Sequence, residues 1–115
     1  MNKLKVLILF SMLVVSEPIY AQTTNTPATQ LAYRIAQKMK DTLGLTVAQR
    51  TQIYNINVNL NDRKMAIRQQ FTNPDSLRIK MQRVERGRDS LYHLILPEPK
   101  FQLYLQKKKY LVSTN

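Results

Sequence analysis

The short sequence from Gly44 to Gln49 constrains the fold most, because it both ends one helix and begins the next. Gly44 lacks a Cβ atom and can adopt the left-handed backbone conformation that terminates a helix. Thr46 can accept a hydrogen bond from the backbone N–H of Gln49, whose side chain can bond back to the N–H of Thr46, forming a capping box. Leu45 can pack on the first turn of the second helix as a hydrophobic staple. The sequence therefore predicts two helices that meet at a fixed angle.

Residues 1–21 have the pattern of a secretory signal peptide. Lys3 and Lys5 form a basic N-terminal region, and an apolar run follows from Val6 to Val15. Ala21 then provides a small residue at a cleavage site before Gln22. A membrane anchor is the alternative, although the run is shorter than the ~20 apolar residues of a membrane span. We expect a periplasmic mature chain that starts near Gln22 and contains no membrane span.

The composition limits the classes of partner. The chain contains no cysteine, which excludes disulfides and a lipoprotein anchor. Its formal net charge is +11, and loss of Lys3, Lys5 and Glu17 with the signal peptide leaves +10. In an exported protein this charge favours anionic protein, lipid or polysaccharide partners over nucleic acid. The remaining 94 residues suffice for one small domain that is expected to gain stability from oligomerisation.

Hydrophobic periodicity predicts an all-α domain of four helices over residues 27–112. A flexible tail is expected at residues 22–26 and a frayed C-terminus at residues 113–115. Thr26 and Asn73 precede prolines and are suited to cap the first and third helices. The predicted helices end near Gly44, Thr72, Leu96 and Leu111. Their expected core positions are Leu31, Ile35, Met39 and Leu43 in the first; Leu77, Met81, Val84, Leu91 and Ile95 in the third; and Phe101, Tyr104, Leu105 and Leu111 in the fourth.

The predicted second helix, from about Thr46 to Thr72, carries two apolar stripes. One stripe suits the core of the subunit, whereas the second needs a dimer partner or a client protein; the alternative is that both are buried in one bundle. The second stripe has the spacing of a coiled-coil seam. The main stripe contains Ile53, Ile56, Leu60, Ile67 and Phe71; the second contains Val47, Tyr54, Val58 and Met65; and Arg50, Asn57, Asn61 and Arg68 lie between them.

Two basic residues fall on or beside apolar stripes. Arg88 interrupts the stripe of the third helix, and Lys64 lies at the edge of the main stripe of the second. Long basic side chains can bury their stems while the charged group stays in water, which is the expected arrangement here. The alternative is a basic group placed on a concave, half-open binding face.

The sequence from Leu45 to Gln49 matches the Leu-Thr-x-x-Gln motif of the Spy/CpxP family of exported helical proteins, and the chain resembles that family over most of residues 27–111. The family motif tends to recur in the second half of the chain. Here the equivalent is Leu96 to Lys100, in which Pro97 replaces the threonine and Lys100 replaces the glutamine. The second copy therefore lacks a capping box. The resemblance implies an elongated, curved helical-hairpin subunit that forms an antiparallel homodimer.

The resemblance also implies a role in the envelope stress response. Spy-like members are ATP-independent chaperones that hold unfolding envelope proteins on a basic, partly apolar surface, whereas CpxP-like members bind a membrane stress sensor and regulate it. A basic protein bound to anionic envelope lipid or polysaccharide is a third alternative. The candidate client or dimer contacts, chosen from helical geometry, are Val47, Arg50, Tyr54, Val58, Met65, Arg68 and Arg88.

The residues do not favour an enzyme or a metal protein. His93 is the single histidine, and Asp89, one turn before it, could add only one further ligand, which is too few for a metal site. Without cysteine and with one histidine, no convincing nucleophile and base are present. Two glycines do not supply a phosphate-binding loop. We therefore predict a binding protein without catalytic residues, metal or cofactor.

Overall fold

The computed structural model of the protein describes residues 26–113. The expected signal peptide, its cleavage site and most of the expected tail lie outside these residues. The described chain forms four helices: α1 (Pro27–Leu43), α2 (Val47–Gln70), α3 (Pro74–Ile95) and α4 (Glu98–Leu111). Residues 26–113 contain no β-strand. The predicted all-α, four-helix class is confirmed, and the predicted helix ends agree with the structure to within two residues.

The boundary between α1 and α2 contains the predicted capping box. Gly44 has φ 68° and ψ 48°, the left-handed conformation that favours glycine. The backbone N–H of Gln49 donates to Thr46 Oγ1 at 3.1 Å, and the N–H of Thr46 donates to Gln49 Oε1 at 2.9 Å. Leu45 is buried beside them. This local sequence therefore fixes both the end of α1 and the start of α2.

A second capping box, at the start of α1, was not predicted. The backbone N–H of Thr29 donates to Thr26 Oγ1 at 3.2 Å, and the N–H of Thr26 donates to Thr29 Oγ1 at 3.0 Å. Threonine thus takes the place that glutamate or glutamine usually has in this motif. Thr26 consequently belongs to the helical domain and not to the expected tail.

The degenerate second motif contacts the first. Pro97 precedes α4 and makes no side-chain capping bond, as expected from the loss of the threonine. Lys100 instead donates a hydrogen bond from Nζ to the backbone oxygen of Gly44. A cation at the carboxyl end of α1 is favourable, because the last carbonyl groups of a helix lack intrahelical donors. Lys100 therefore ties the start of α4 to the end of α1.

The core lies where all four helices meet. Helix α1 packs along α2, α2 packs against α3, and α4 contacts both α1 and α3. The main stripe of α2 is buried at Ile53 and Leu60 but only half-buried at Ile67 and Phe71. The reason is length: α1 has 17 residues and α2 has 24, so α1 cannot cover all of α2. Residues 63–84 therefore form a two-helix extension, here called the hairpin arm.

Two details of the predicted core are wrong. Leu105 is 41% exposed, whereas Phe101, Tyr104 and Leu111 are buried as predicted. Because α4 contacts both α1 and α3, its buried surface is centred on Tyr104, and Leu103 packs against the core in place of Leu105. In α3 the predicted apolar positions are only half-buried, and the fully buried positions are Arg88 and Tyr92.

No helix within residues 26–113 has both the length and the apolar character needed to cross a membrane.

Replacing Thr46 with alanine should destabilise the protein by about 1 kcal/mol, because the N–H of Gln49 loses its capping partner. For a domain of this size the melting temperature should fall by roughly 4–8 °C. Thr51→Ala is the matched control, since Thr51 lies inside α2 and bonds only to the Val47 backbone oxygen. Equal melting temperatures for the two variants would contradict this account of the helix boundary.

Candidate functional site

The second stripe of α2 remains open along the described chain. Val47 is 58% exposed and Met65 is 48% exposed, whereas Tyr54 and Val58 are half-buried. The alternative in which both stripes are buried within one bundle therefore does not hold for the single subunit. Helix α1 approaches the stripe at Tyr54, through Tyr33, and at Val58 and Met65, through Pro27 and Ala28, yet it leaves Val47 and Met65 exposed.

Arg50 is held beside this stripe by two residues of α1, Gln37 and Tyr33. Its NH1 atom donates to Gln37 Oε1 at 2.8 Å, and its guanidinium carbon lies 5.4 Å from the Tyr33 ring centroid. The rings of Tyr33 and Tyr54 meet edge to face, with centroids 6.3 Å apart. Tyr33 was not predicted as a site residue, because it lies outside the apolar repeat of α1. A tyrosine on the polar side of a helix that contributes to the core was the signal available in the sequence.

A groove lies where the start of α1 meets the stripe. Its volume is about 420 Å³, and apolar parts of Pro27, Ala28, Val58 and Met65 line it. Arg68 is exposed on the same helix, one turn beyond Lys64. We call the set Val47, Tyr54, Val58, Met65, Arg50, Arg68 and Tyr33 the stripe surface.

Arg88 does not belong to this surface. It is only 7% exposed, so the prediction of a buried stem with its charged group in water is wrong. Its NH1 atom donates to Asn57 Oδ1 at 3.2 Å and to the Tyr92 hydroxyl at 3.0 Å. Its Nε and NH2 atoms bond to the Glu85 carboxylate at 2.9 and 3.2 Å. Each nitrogen of the guanidinium group has a partner inside the subunit, and the residue is buried, so Arg88 is not available to a client.

Asn57 is the second polar residue that the structure buries. Its Nδ2 atom donates to the backbone oxygen of Ala32 at 3.1 Å, and its Oδ1 atom also accepts from the Tyr92 hydroxyl. Burial raises the pKa of Tyr92, so the phenol stays protonated and can donate. Asn57 therefore joins α1, α2 and α3 through one carboxamide group.

Glu85 completes the charge balance of this network. It forms ion pairs with Arg88 and with Lys64, the second basic residue singled out in the sequence. Burial alone would raise the pKa of Glu85, but hydrogen bonds and charges from Arg88 and Lys64 outweigh burial and hold it below its usual value. The Glu85 carboxylate is therefore ionised when it binds the two cations.

His93 and Asp89 are directed to different partners. His93 stacks on Phe101 with ring centroids 3.9 Å apart, and its Nε2 atom lies 2.7 Å from Glu98 Oε2. Asp89 accepts hydrogen bonds from the Tyr104 hydroxyl and Lys108 Nζ, each at 2.8 Å. Across the described residues, no group of three or more metal-ligating side chains lies together. Both residues serve to attach α4 to α3.

Comparison with known proteins adds no relative: no family model, no curated protein and no solved structure matches the chain.

Arg88→Ala should lower the free energy of unfolding by about 3 kcal/mol, because it removes the hydrogen bonds of the guanidinium group to Asn57, Tyr92 and Glu85 together with the Glu85 ion pair. Urea denaturation monitored by circular dichroism measures this. Arg86→Ala is the control, since Arg86 is exposed two residues away on the same helix. A similar small change in both variants would show that the buried network contributes little to stability.

The lowered pKa of Glu85 predicts acid sensitivity. A carboxyl group whose pKa is lower in the folded state than in the unfolded state stabilises the folded protein. This stabilisation is complete above the unfolded-state pKa and is lost as the pH falls through the folded-state pKa. Glu85→Gln should therefore be less stable than the original chain at about pH 7, and the difference should shrink towards about pH 3. Urea unfolding across this range tests it, with Asp62→Asn as an exposed carboxylate control. A difference independent of pH would contradict the assignment.

Proposed function

We propose that the protein is an exported, ATP-independent holdase chaperone that binds unfolding envelope proteins on the stripe surface. The observation that carries this proposal is the open second stripe, which stays exposed at Val47 and Met65 although the start of α1 lies beside Met65. The Leu-Thr-x-x-Gln motif and the resemblance to the Spy/CpxP family support the same assignment.

The chemistry of the surface suits weak binding of many clients. The exposed Arg68 and the formal net charge of +10 expected for the mature chain speed the encounter with acidic unfolded chains. Half-exposed tyrosine, valine and methionine side chains then prolong contact, and the flexible methionine adapts to different partners. Arg50 and Arg68 are the charged members of the stripe surface and complement acidic segments, although Asp62 lines the adjacent groove.

The stripe also fits a second copy of the chain. Val47, Tyr54, Val58 and Met65 follow a seven-four-seven spacing, which is the spacing of a coiled-coil seam. A homodimer in which two α2 helices pair along this stripe is the alternative occupant of the surface, and it would exclude clients from the residues that it buries. Light scattering coupled to gel filtration, at several protein concentrations, distinguishes this dimer from a monomer that uses the whole stripe for clients.

The mature chain should suppress the aggregation of two unrelated unfolding proteins at near-stoichiometric amounts without ATP. Light scattering measures the effect. The double variant Val58→Ser, Met65→Ser should lose at least about half of the suppression, because burial of apolar area supplies the dwell time. Leu94→Ser is the control, since Leu94 is 84% exposed but lies outside the stripe surface.

The outcomes separate the two functional classes. Suppression of neither protein would overturn the holdase proposal and favour a dedicated regulatory partner, such as the sensor domain of a membrane stress receptor. Equal loss in the stripe variant and in Leu94→Ser would show that binding does not use the stripe surface.

A further inference from the structure

A second depression lies on the hairpin arm, between α2 and α3 and away from the stripe surface. Its volume is about 360 Å³. Ile67, Phe71 and Val84 form its apolar part, and Arg63, Lys80 and Arg83 provide three cations around it. We call these six residues the arm cleft. The arm cleft combines apolar area with positive charge, and its volume is large enough for a few side chains of a partner.

The positive charge of the arm cleft is not compensated within the described chain. No carboxylate lines the cleft, and none of its three cations forms an ion pair within residues 26–113. Lys80 Nζ lies 4.4 Å from the Phe71 ring centroid, so its charge stays over the apolar part. The nearest acidic residues along α3 are already used: Glu85 pairs with Arg88 and Lys64, and Asp75 lies 3.8 Å from Arg78.

Gly87 continues this face of α3 one turn beyond Arg83. A glycine inside a helix costs up to about 1 kcal/mol relative to alanine. Its φ is not positive, and a Cβ atom added there would meet nothing within 4 Å, so neither backbone nor packing within the subunit requires glycine. What the missing side chain does provide is room for the backbone of another chain to approach α3 closely.

We propose that the arm cleft and Gly87 bind an acidic peptide segment that carries an apolar side chain. The carboxylates pair with Arg63, Lys80 and Arg83, where arginine can bond both carboxylate oxygens. The apolar side chain covers Phe71 and Val84, and the segment's backbone crosses Gly87. A second copy of this chain is a poorer occupant, because it brings the same excess of positive charge.

This inference deepens the proposed function, because it names a class of client segment, but it is tested separately. The probe is a fluorescently labelled peptide in which glutamates and aspartates flank one leucine and one phenylalanine. The matched probe has glutamine and asparagine in their place. Fluorescence anisotropy with the mature chain should show at least about tenfold tighter binding of the acidic peptide, since only carboxylates form charge-assisted hydrogen bonds with the three cations.

Gly87→Leu gives the sharpest test. Its melting temperature should equal or exceed that of the original chain, because leucine favours helix more than glycine and its Cβ atom meets no atom of the subunit within 4 Å. Its affinity for the acidic peptide should nevertheless fall at least about tenfold, because the side chain blocks the approach. Gln82→Leu is the control, since Gln82 is exposed and lies about 140° around α3 from Gly87. The double variant Lys80→Glu, Arg83→Glu should abolish the preference for the acidic peptide.

The possible results distinguish failure of the arm-cleft proposal from failure of the holdase function. Peptide binding that is unchanged in Gly87→Leu, or equal affinity for the two peptides, would overturn the arm-cleft proposal even if aggregation is still suppressed. Tighter binding to vesicles of anionic lipid than to the acidic peptide would overturn it in favour of a lipid headgroup. Selective peptide binding without aggregation suppression would support the arm cleft while overturning the holdase function.

Discussion

The buried contact between Arg88 and Asn57 is the interaction on which the arrangement of the helices depends. Asn57 binds the α1 backbone at Ala32, and Arg88 and Tyr92 bind Asn57 from α3. The Tyr92 ring then packs edge to face on Tyr104 of α4, with centroids 5.1 Å apart. Buried polar groups destabilise a core unless each finds a partner, and no buried side-chain nitrogen or oxygen in the described residues lacks one. The observed arrangement of the helices therefore gives every buried polar side chain a hydrogen-bond partner.

This constraint explains why the rest of the subunit is open. The network and the surrounding apolar residues hold the four helices together at one end, where α1 and α4 cover the α2–α3 hairpin. Beyond that end only two helices remain, and the apolar side chains between them are covered on one side only. Ile67, Phe71 and Val84 are therefore half-buried, and Met65 is exposed. The exposed apolar area follows from unequal helix lengths and not from a defective core.

The features that could be predicted from the sequence are those that depend on residues close together in the chain. Helix bounds, the Thr46 capping box and the Gly44 conformation arise from residues at most four positions apart, and these predictions agree with the structure. Contacts between distant residues were not predictable in this way. Asn57 and Arg88 are 31 residues apart, and hydropathy ranks both as surface residues, so periodicity could not show that each is the other's partner. For the same reason the bond between Lys100 and Gly44, 56 residues apart, was missed.

The two candidate surfaces can act independently, because the geometry of α2 separates them. Val58 of the stripe surface and Ile67 of the arm cleft are nine residues apart, which places them on opposite sides of the helix. They share no residue, and α1 contributes only to the stripe side, through Pro27 and Ala28. A dimer formed through the stripe would therefore leave both arm clefts accessible. Two such clefts on one dimer could bind two segments of the same unfolding chain, and the second segment would bind at a raised effective concentration.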